Sequence, residues 1–302
     1  MRRYALLAGL FLLVGCASNP ERMALKQADS LIDQGQIRAA LDLVENYLHQ
    51  HPDSVPFQRM RVVVLLRAER IDLAAIAVRQ IPTGRSILPQ LLHHRNPMVR
   101  ANAAKLISEQ PSKDDSLDLI RAVDDPDPVV RRYCARALGR LKNPNAVRPL
   151  FRLLADDNWF VRAEAATGLG EIGDPRAVGW LIQLLADGDG YVRYSAVSAL
   201  HKLASDSTHE LLLRALSSVG PKQKFGIAIA LAKLHDPAAL EPLINAAGDK
   251  DTDTRRLAAE ALGECGQPAA TNALATLAGD PDPGVRTQAA EALRRTRANV
   301  PP

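Results

Sequence analysis

A helical pattern of fixed period runs through most of the chain. Between residues 100 and 286 a basic residue recurs at every 31st position, usually preceded by valine, as Val130 precedes Arg131. Small residues such as Cys134 and Ala135 follow three and four positions later, and an aliphatic residue such as Leu138 follows seven positions later. Offsets of −1, +3, +4 and +7 lie on one face of an α-helix, so the pattern predicts a helix with this face buried.

A second helix fits inside each period. Asn143-Pro144 breaks the first pattern, and Val147, Leu150 and Leu154 then follow at helical spacing until Asp156 ends the helix. Each unit is therefore a helical hairpin, and a hairpin that cannot bury its apolar stripe alone must stack on its neighbours. The sequence predicts an all-α fold, an α-α superhelix of about seven units over residues 86–297, followed by a disordered tail at 298–302.

Two stretches carry a resemblance to a known family. DPDPVVRRYCARALGRLKNPNAVRPLFRLLADD, at 125–157, and DPDPGVRTQAAEALRR, at 280–295, resemble HEAT repeats of the short type found in phycobilin-lyase-like proteins. The resemblance covers roughly residues 86–296 and is specific for fold, not for function. It implies a ladder in which turn aspartates pair with helix arginines of neighbouring repeats, here Asp125, Asp156, Asp187, Asp249 and Asp280 with Arg100, Arg131, Arg162, Arg193, Arg255 and Arg286.

One unit departs from this pattern. Ser218 and Gly220 stand where the other units have turn acids, and Lys224 replaces the arginine. Lysine lacks the bidentate fork, and Gly226 costs helix stability relative to alanine. We expect the ladder to be interrupted here, at a kink or softer joint; sequence drift without a function explains the same residues equally well.

The N-terminus has the pattern of an exported lipoprotein. Arg2 and Arg3 precede an uncharged stretch that is too short to span a bilayer, and LVGC, ending at Cys16, resembles the bacterial lipobox. The resemblance implies that residues 1–15 are a removed signal peptide and that Cys16 carries acyl chains, with 16–20 as tether. Ala17 in place of aspartate favours the outer membrane of a Gram-negative bacterium, facing the periplasm; the alternative is an ordinary signal peptide with a chance cysteine.

A separate helical segment is expected at residues 21–82. The spacing of Gly35, Ala40 and Pro52 resembles a tetratricopeptide (TPR) repeat, without the usual early tryptophan. We interpret the segment as a TPR-like cap for the array that could also bind a partner, because solenoids need terminal units that hide their cores.

Aromatic residues are scarce, at 4% of the chain, and most of them lie between residues 133 and 225. Several fall off the buried face at equivalent positions of successive units, where they would form a column with nearby arginines. Tyrosine, tryptophan and arginine are the residues that binding hot spots favour. The predicted partner-binding residues are Arg132, Tyr133, Arg136, Trp159, Phe160, Tyr191, Tyr194 and Phe225. Filling of gaps between repeats is the competing interpretation, with equal weight.

Composition narrows the function. The net charge of +4 without a basic run argues against nucleic acid, and no spacing typical of a metal site, phosphate loop or nucleophile elbow is found. We therefore expect no catalytic residue, metal, cofactor or small-molecule substrate. The favoured function is a periplasmic scaffold that binds envelope proteins and reaches the membrane through Cys16. The alternatives are a phycobilin-lyase-like enzyme or chaperone that cradles a chromophore-bearing protein, and a purely structural spacer.

Overall fold

The computed structural model describes residues 19–82 and 84–298, and within these ranges the chain contains helices and turns but no strand. The all-α prediction is confirmed. The lipobox with Cys16, together with Thr83 and residues 299–302, lies outside the described residues. The predicted tail begins at Ala298, which is the last residue of the final helix. Of the helices in the described part, none is both long enough and apolar enough to cross a membrane.

The chain divides into two compact units, Met1–Leu106 and Ile107–Pro302. The first contains α1 (Pro20–Asp33), α2 (Ile37–Gln50), α3 (Val55–Arg67), α4 (Ile71–Gln80) and α5 (Ile87–Leu91). Helix α6 (Pro97–Glu109) begins in the first unit and ends in the second. The helices that follow are α7 (Ser116–Ala122), α8 (Pro128–Arg140), α9 (Val147–Leu153), α10 (Trp159–Ile172), α11 (Val178–Leu184), α12 (Gly190–Leu203), α13 (Asp206–Ser218), α14 (Pro221–Lys233), α15 (Leu240–Ala247), α16 (Thr252–Cys265), α17 (Pro268–Leu277) and α18 (Pro283–Ala298).

The first unit is a set of short helices that pack around their own core. Ala28 and Ala40 are fully buried where α1 meets α2, and Tyr47 of α2 stacks on Phe57 of α3 with ring centroids 3.8 Å apart. Gly35 occupies the left-handed region, with φ +75°, in the tight turn between α1 and α2, a conformation that favours glycine. The helices agree with the predicted helical segment, and its TPR-like nature stays a prediction.

In the second unit each repeat is a helical hairpin, as predicted. The first helices of the hairpins are α7, α9, α11, α13, α15 and α17, and the second helices are α8, α10, α12, α14, α16 and α18. Successive second helices pack on one another, so the predicted apolar face is buried. Val130, Cys134, Ala135 and Leu138 of α8 are all inaccessible to solvent. Cys134 and Cys265 are free thiols, both buried.

The second helices approach each other closely because small residues line their contacts. A Cβ atom added to Gly139 of α8 would lie 2.5 Å from the Cα atom of Gly168 in α10. One added to Gly170 would lie 2.8 Å from the Cα atom of Ala199 in α12. Both distances are shorter than packed carbon atoms tolerate, so the spacing of α8, α10 and α12 depends on these glycines.

Arginines at the starts of several second helices tie successive turns together. Arg131 donates two hydrogen bonds to the Asp156 carboxylate in the next turn, at 2.7 and 2.8 Å, and two to the carbonyl oxygens of Asp125 and Pro126 in its own turn. Asp156 also accepts from the amide of Asn158 at 2.9 Å. One guanidinium therefore joins the ends of two successive hairpins.

The same arrangement recurs at two further junctions. Arg162 pairs with Asp187 and Arg255 with Asp280, each through two hydrogen bonds of 2.7 to 3.0 Å. Three other predicted arginines are seen binding carbonyl oxygens of their own turn, namely Arg100, Arg193 and Arg286. Two other aspartates predicted for the ladder each accept a hydrogen bond from the backbone amide two residues further along the chain, namely Asp125 and Asp249.

The junction around α13 and α14 is built differently, as the substituted turn predicts. No acidic side chain follows Arg193 in the next turn, and Gln223 instead donates to the carbonyl oxygen of Ile182 at 3.3 Å. Gly226 is explained by packing rather than by a weakened helix. An added Cβ atom there would lie 2.6 Å from a methyl group of Leu185, whose side chain packs against this point of α14.

Polar contacts at the C-terminal ends of the second helices form another connection along the array. Lys202 of α12 pairs with Glu171 of α10, and Lys233 of α14 donates to the carbonyl oxygen of His201 at 2.8 Å. The His201 ring in turn lies 3.0 Å from the Glu264 carboxylate of α16. These contacts bridge the region in which the arginine ladder lacks its acid.

The ladder predicts acid-sensitive stability. Burial of the Asp156 carboxylate acts to raise its pKa, but hydrogen bonds from Arg131 and the Asn158 amide, with the charges of Arg131 and Arg162, bring the pKa below its ordinary value of 3.8. A carboxyl whose pKa is lower in the folded state stabilises the fold above its unfolded pKa and loses that contribution as pH falls through the folded pKa. The difference in unfolding free energy between wild type and Asp156→Asn should therefore shrink as pH falls below about 4.

Urea unfolding followed by circular dichroism between pH 3 and pH 7 measures this difference. Asp124→Asn is the control, because the exposed Asp124 carboxylate pairs with the exposed Arg152 side chain rather than with a buried partner. A difference between wild type and Asp156→Asn that stays constant down to pH 3 would contradict the proposed ionic contribution.

Candidate protein-binding groove

A groove of about 450 Å³ crosses the second helices α8, α10 and α12. We refer to it as the aromatic groove. Its floor includes Gly139 and Gly168, where α8 and α10 meet most closely. Its lining residues are Arg136, Gly139, Arg140, Trp159, Phe160, Ala163, Glu164, Thr167, Gly168, Glu171, Tyr191 and Ser195.

Helix capping fixes the aromatic side chains at one end of the groove. Asn158 caps α10 by accepting from the Phe160 amide at 3.0 Å, and Asp189 caps α12 by accepting from the Tyr191 amide at 2.8 Å. Trp159 is the first residue of α10, a position that proline fills in α6, α8, α14 and α18. This position lies outside the buried face of the helix, so its side chain can lie over the neighbouring repeat.

The three rings form a continuous stack across two repeats. The Trp159 ring lies 3.4 Å from the Phe160 ring and 5.4 Å from the Tyr191 ring, centroid to centroid, with interplanar angles of 25° and 27°. Phe160 is 44% exposed and Tyr191 is 71% exposed. Large aromatic side chains that remain this accessible provide apolar area that a partner can bury.

Arginines of α8 extend the stack. The Arg132 guanidinium carbon lies 4.4 Å from the centroid of the Tyr133 ring and 5.2 Å from that of Phe160. Arg136 lies 5.7 Å from the Tyr133 centroid and pairs with Glu164 of α10. The cations therefore lie against the electron-rich faces of the rings and hold them in place.

Both carboxylates of the groove are engaged in ion pairs. Glu164 pairs with Arg136 of the preceding repeat, whereas Glu171 pairs with Lys202 of the following one. The hydrogen bonds that Arg136 donates to the Glu164 carboxylate raise the pKa of the Arg136 guanidinium. Arg140 donates to the carbonyl oxygens of Ser108 and Glu109 at the end of α6. A group of three or more histidine, cysteine, aspartate and glutamate side chains suited to a metal ion does not occur in the described ranges.

The structure brings together six of the eight predicted partner-binding residues, from Arg132 through Tyr191. Tyr194, 55% exposed, and the half-buried Phe225 make no ring contact with the others in the described part of the chain. Trp180 lies apart from this cluster, on α11, which is the first helix of its hairpin. There it stacks on Phe151, with ring centroids 5.6 Å apart, and is 48% exposed. Six of the predicted residues therefore form one cluster, and Trp180 forms a separate stack with Phe151.

The sequence interpretation missed the acidic side of the groove. Glu164 and Glu171 lie two and nine positions after the periodic residue Arg162. The ninth position after the periodic basic residue is charged in every unit, and this regularity is the signal that could have predicted the polar contacts at the C-terminal ends of the second helices. The residues at this position are Glu109, Arg140, Glu171, Lys202, Lys233, Glu264 and Arg295.

A second cavity, of about 410 Å³, lies within the first unit. It is formed by α2, α3 and α4, and the ion pair between Arg61 and Glu45, at 2.7 Å, lies on its wall. Aromatic stacking of the kind found in the aromatic groove does not line it. The exposed aromatic area is therefore concentrated in the second unit.

The comparisons with known proteins identify the family. The HEAT-repeat family model matches residues 117–201, 179–256 and 240–300, which together span more than half of the chain. The protein belongs to the HEAT-repeat family, whose fold is the α-solenoid described above. A search of curated proteins gives no match.

Solved structures of similar fold include natural and engineered repeat proteins. The complex of CpcE and CpcF of phycocyanin lyase from Nostoc sp. PCC7120 is 22% identical, with a TM-score of 0.45 over 72% of this chain and 94% of that one. YibA of E. coli is 19% identical, with a TM-score of 0.47 over 92% and 98%. An engineered protein, target OR329, is 20% identical, with a TM-score of 0.47 over 71% and 96%. At these identities and TM-scores, none of the three indicates what this chain binds.

Proposed function

We propose that this protein is a non-enzymatic scaffold, anchored by lipid on Cys16 to the outer membrane, that binds proteins of an envelope assembly from the periplasmic side. The aromatic groove is the binding surface. The observation that carries this proposal is the exposure of Phe160 and Tyr191 in a stack held by Trp159 and Arg132. Side chains that only filled gaps between repeats would be covered by their neighbours.

The chemistry of the groove favours binding over catalysis. Its two carboxylates are neutralised by Arg136 and Lys202, so neither is poised as a general acid or base. Burial raises the pKa of the Cys134 and Cys265 thiols, which disfavours the reactive thiolate form. A rigid surface with aromatic rings and arginines is instead what protein recognition uses.

The membrane anchor follows from the lipobox resemblance. Helix α1 begins at Pro20, four residues after Cys16, so the tether reaches about 15 Å at most. The helical part would then lie close to the membrane surface, and its partners would be proteins that come within that distance. This anchoring fixes the scaffold in place while the repeats supply the binding surface.

Crosslinking in cells tests the scaffold. The full-length protein and its Phe160→Ala/Tyr191→Ala variant are crosslinked in the envelope, and the captured proteins are quantified by mass spectrometry. Loss of two central aromatic contacts is expected to reduce capture at least tenfold, because each such residue contributes on the order of 1–2 kcal/mol or more. Circular dichroism should show an unchanged fold, because both side chains are exposed.

Trp180→Ala is the matched control, since it removes an equally exposed aromatic side chain from a first helix. It should leave the captured set unchanged. Equal capture by all three proteins would mean that the aromatic groove is not the binding surface, and loss of folded protein in the double variant would support the gap-filling interpretation.

A further inference from the structure

The charges around the aromatic groove do not balance. Arg136 neutralises Glu164, and Lys202 neutralises Glu171. Arg140 binds carbonyl oxygens rather than an acid. The groove and its rim therefore carry more positive than negative side chains, with four cations (Arg132, Arg136, Arg140, Lys202) against two anions (Glu164, Glu171).

Arg132 differs from the other three cations, because among the described residues it has neither an acidic partner nor a carbonyl acceptor. Of the acidic residues that the structure describes, none pairs with it, and its Nε atom is buried without a hydrogen-bond acceptor. The neighbouring Arg131 makes four hydrogen bonds, two of them to Asp156. Of these two adjacent arginines of α8, Arg131 has its hydrogen-bond donors satisfied within the protein, whereas Arg132 does not.

The surroundings of Arg132 suit it for binding an anion. The Tyr133 and Phe160 rings lie over its guanidinium and keep it in one position. A guanidinium stacked on rings still presents N–H groups along its edge, and a carboxylate can accept two of them side by side. Burial of Nε beside aromatic rings lowers the local dielectric constant, which strengthens such a pair.

We propose that the aromatic groove binds an acidic peptide segment that also carries an aromatic side chain. This inference rests on the proposed scaffold function and specifies the partner. A carboxylate of the segment pairs with Arg132, and an aromatic ring beside it in the segment packs on Phe160 and Tyr191. A nucleic acid fits less well, because Arg136 and Lys202 are already paired with Glu164 and Glu171, so the groove lacks the row of free cations that a continuous phosphate backbone requires.

Selection from a phage-displayed library of random 12-residue peptides tests the proposal with defined ligands. The full-length protein, purified in detergent, is panned in parallel with its Arg132→Gln and Arg148→Gln variants. Arg148 is an exposed arginine of α9, the first helix of its hairpin, and serves as the matched control. Selected peptides are then synthesised, and their Kd values are measured by fluorescence anisotropy at two salt concentrations, with the single-stranded oligonucleotide dT12 as competitor.

Peptides selected on wild type should combine aspartate or glutamate with an aromatic residue, and their affinity should fall with salt. Arg132→Gln should weaken binding about tenfold, whereas Arg148→Gln should leave it unchanged. Selection of basic or uncharged peptides, failure to select any peptide, equal binding by Arg132→Gln, or displacement by dT12 would overturn the proposal. If capture in cells still depends on Phe160 and Tyr191, the scaffold function stands while the acidic partner is wrong; if that dependence is also absent, both fail.

Discussion

Replacing Asp156 with alanine should lower the free energy of unfolding by about 3 kcal/mol, whereas the neighbouring change Asp157→Ala should alter it by less than about 0.5 kcal/mol. The two aspartates are adjacent in one turn, but only Asp156 joins two repeats. Its carboxylate accepts two hydrogen bonds from Arg131 and one from the amide of Asn158. Asp157 is exposed, and its contribution to the ladder is a backbone carbonyl oxygen that alanine keeps.

The size of the effect follows from burial. The Arg131 side chain is 17% exposed and that of Asp156 is 8% exposed, so removal of the carboxylate leaves a largely buried cation without its partner. Breaking a buried pair costs about 3–5 kcal/mol when one charge is left uncompensated. Arg131 keeps its two carbonyl acceptors, which places the expected value at the lower end of that range.

Chemical denaturation gives the total loss, and hydrogen exchange shows where it occurs. The amides of α8 and α10 should exchange faster in Asp156→Ala than in wild type, while those of α16 and α18 should change little, because repeats interact mainly with their neighbours. Equal stability of Asp156→Ala and Asp157→Ala would show that the ladder contributes nothing beyond helix capping.

Gly139→Ala should destabilise the protein by about 2–3 kcal/mol, although alanine is the better helix former. The added methyl group would lie 2.5 Å from the Cα atom of Gly168, and the obstacle is backbone, which no side-chain rotation relieves. Helices α8 and α10 would have to separate, and the contacts of Leu138 and Leu169, both fully buried, would loosen.

Gly179→Ala is the matched control with the opposite sign. Gly179 lies on the exposed side of α11, and nothing is within 4 Å of the position of an added Cβ atom. Alanine there should stabilise the protein by up to about 1 kcal/mol through helix propensity. Thermal and urea unfolding of both variants measure the contrast; a stabilised Gly139→Ala variant would mean that α8 and α10 are not in close contact.

The sequence anticipated most of the architecture. The period of 31 residues, the face at offsets −1, +3, +4 and +7, and the breaks at positions such as Asn143-Pro144 were sufficient to predict the hairpins and the buried residues. Repetition made this possible, because equivalent positions in each unit meet equivalent neighbours. The pairs Arg131–Asp156, Arg162–Asp187 and Arg255–Asp280 lie at one constant separation for the same reason.

The candidate site was anticipated only in part. Trp159, Phe160 and Tyr191 meet because the first turns of α10 and α12 are adjacent and capped alike. Tyr194 and Phe225 were expected in the same column, yet ring contacts depend on side-chain rotamers and on the lateral offset between helices. Neither quantity can be read from a helical period.

The sequence by itself determined the repeat, the hairpin and the residues that face the core, since these follow from local helical periodicity. Only the tertiary structure decided which charged side chains form an ion pair and which do not. Glu164 and Glu171 are neutralised from opposite sides, and Arg132 is the arginine of α8 that lies between two rings without an acid. These outcomes depend on which side chains of neighbouring helices come within hydrogen-bond distance, and that is fixed by how closely glycine and alanine let the helices approach.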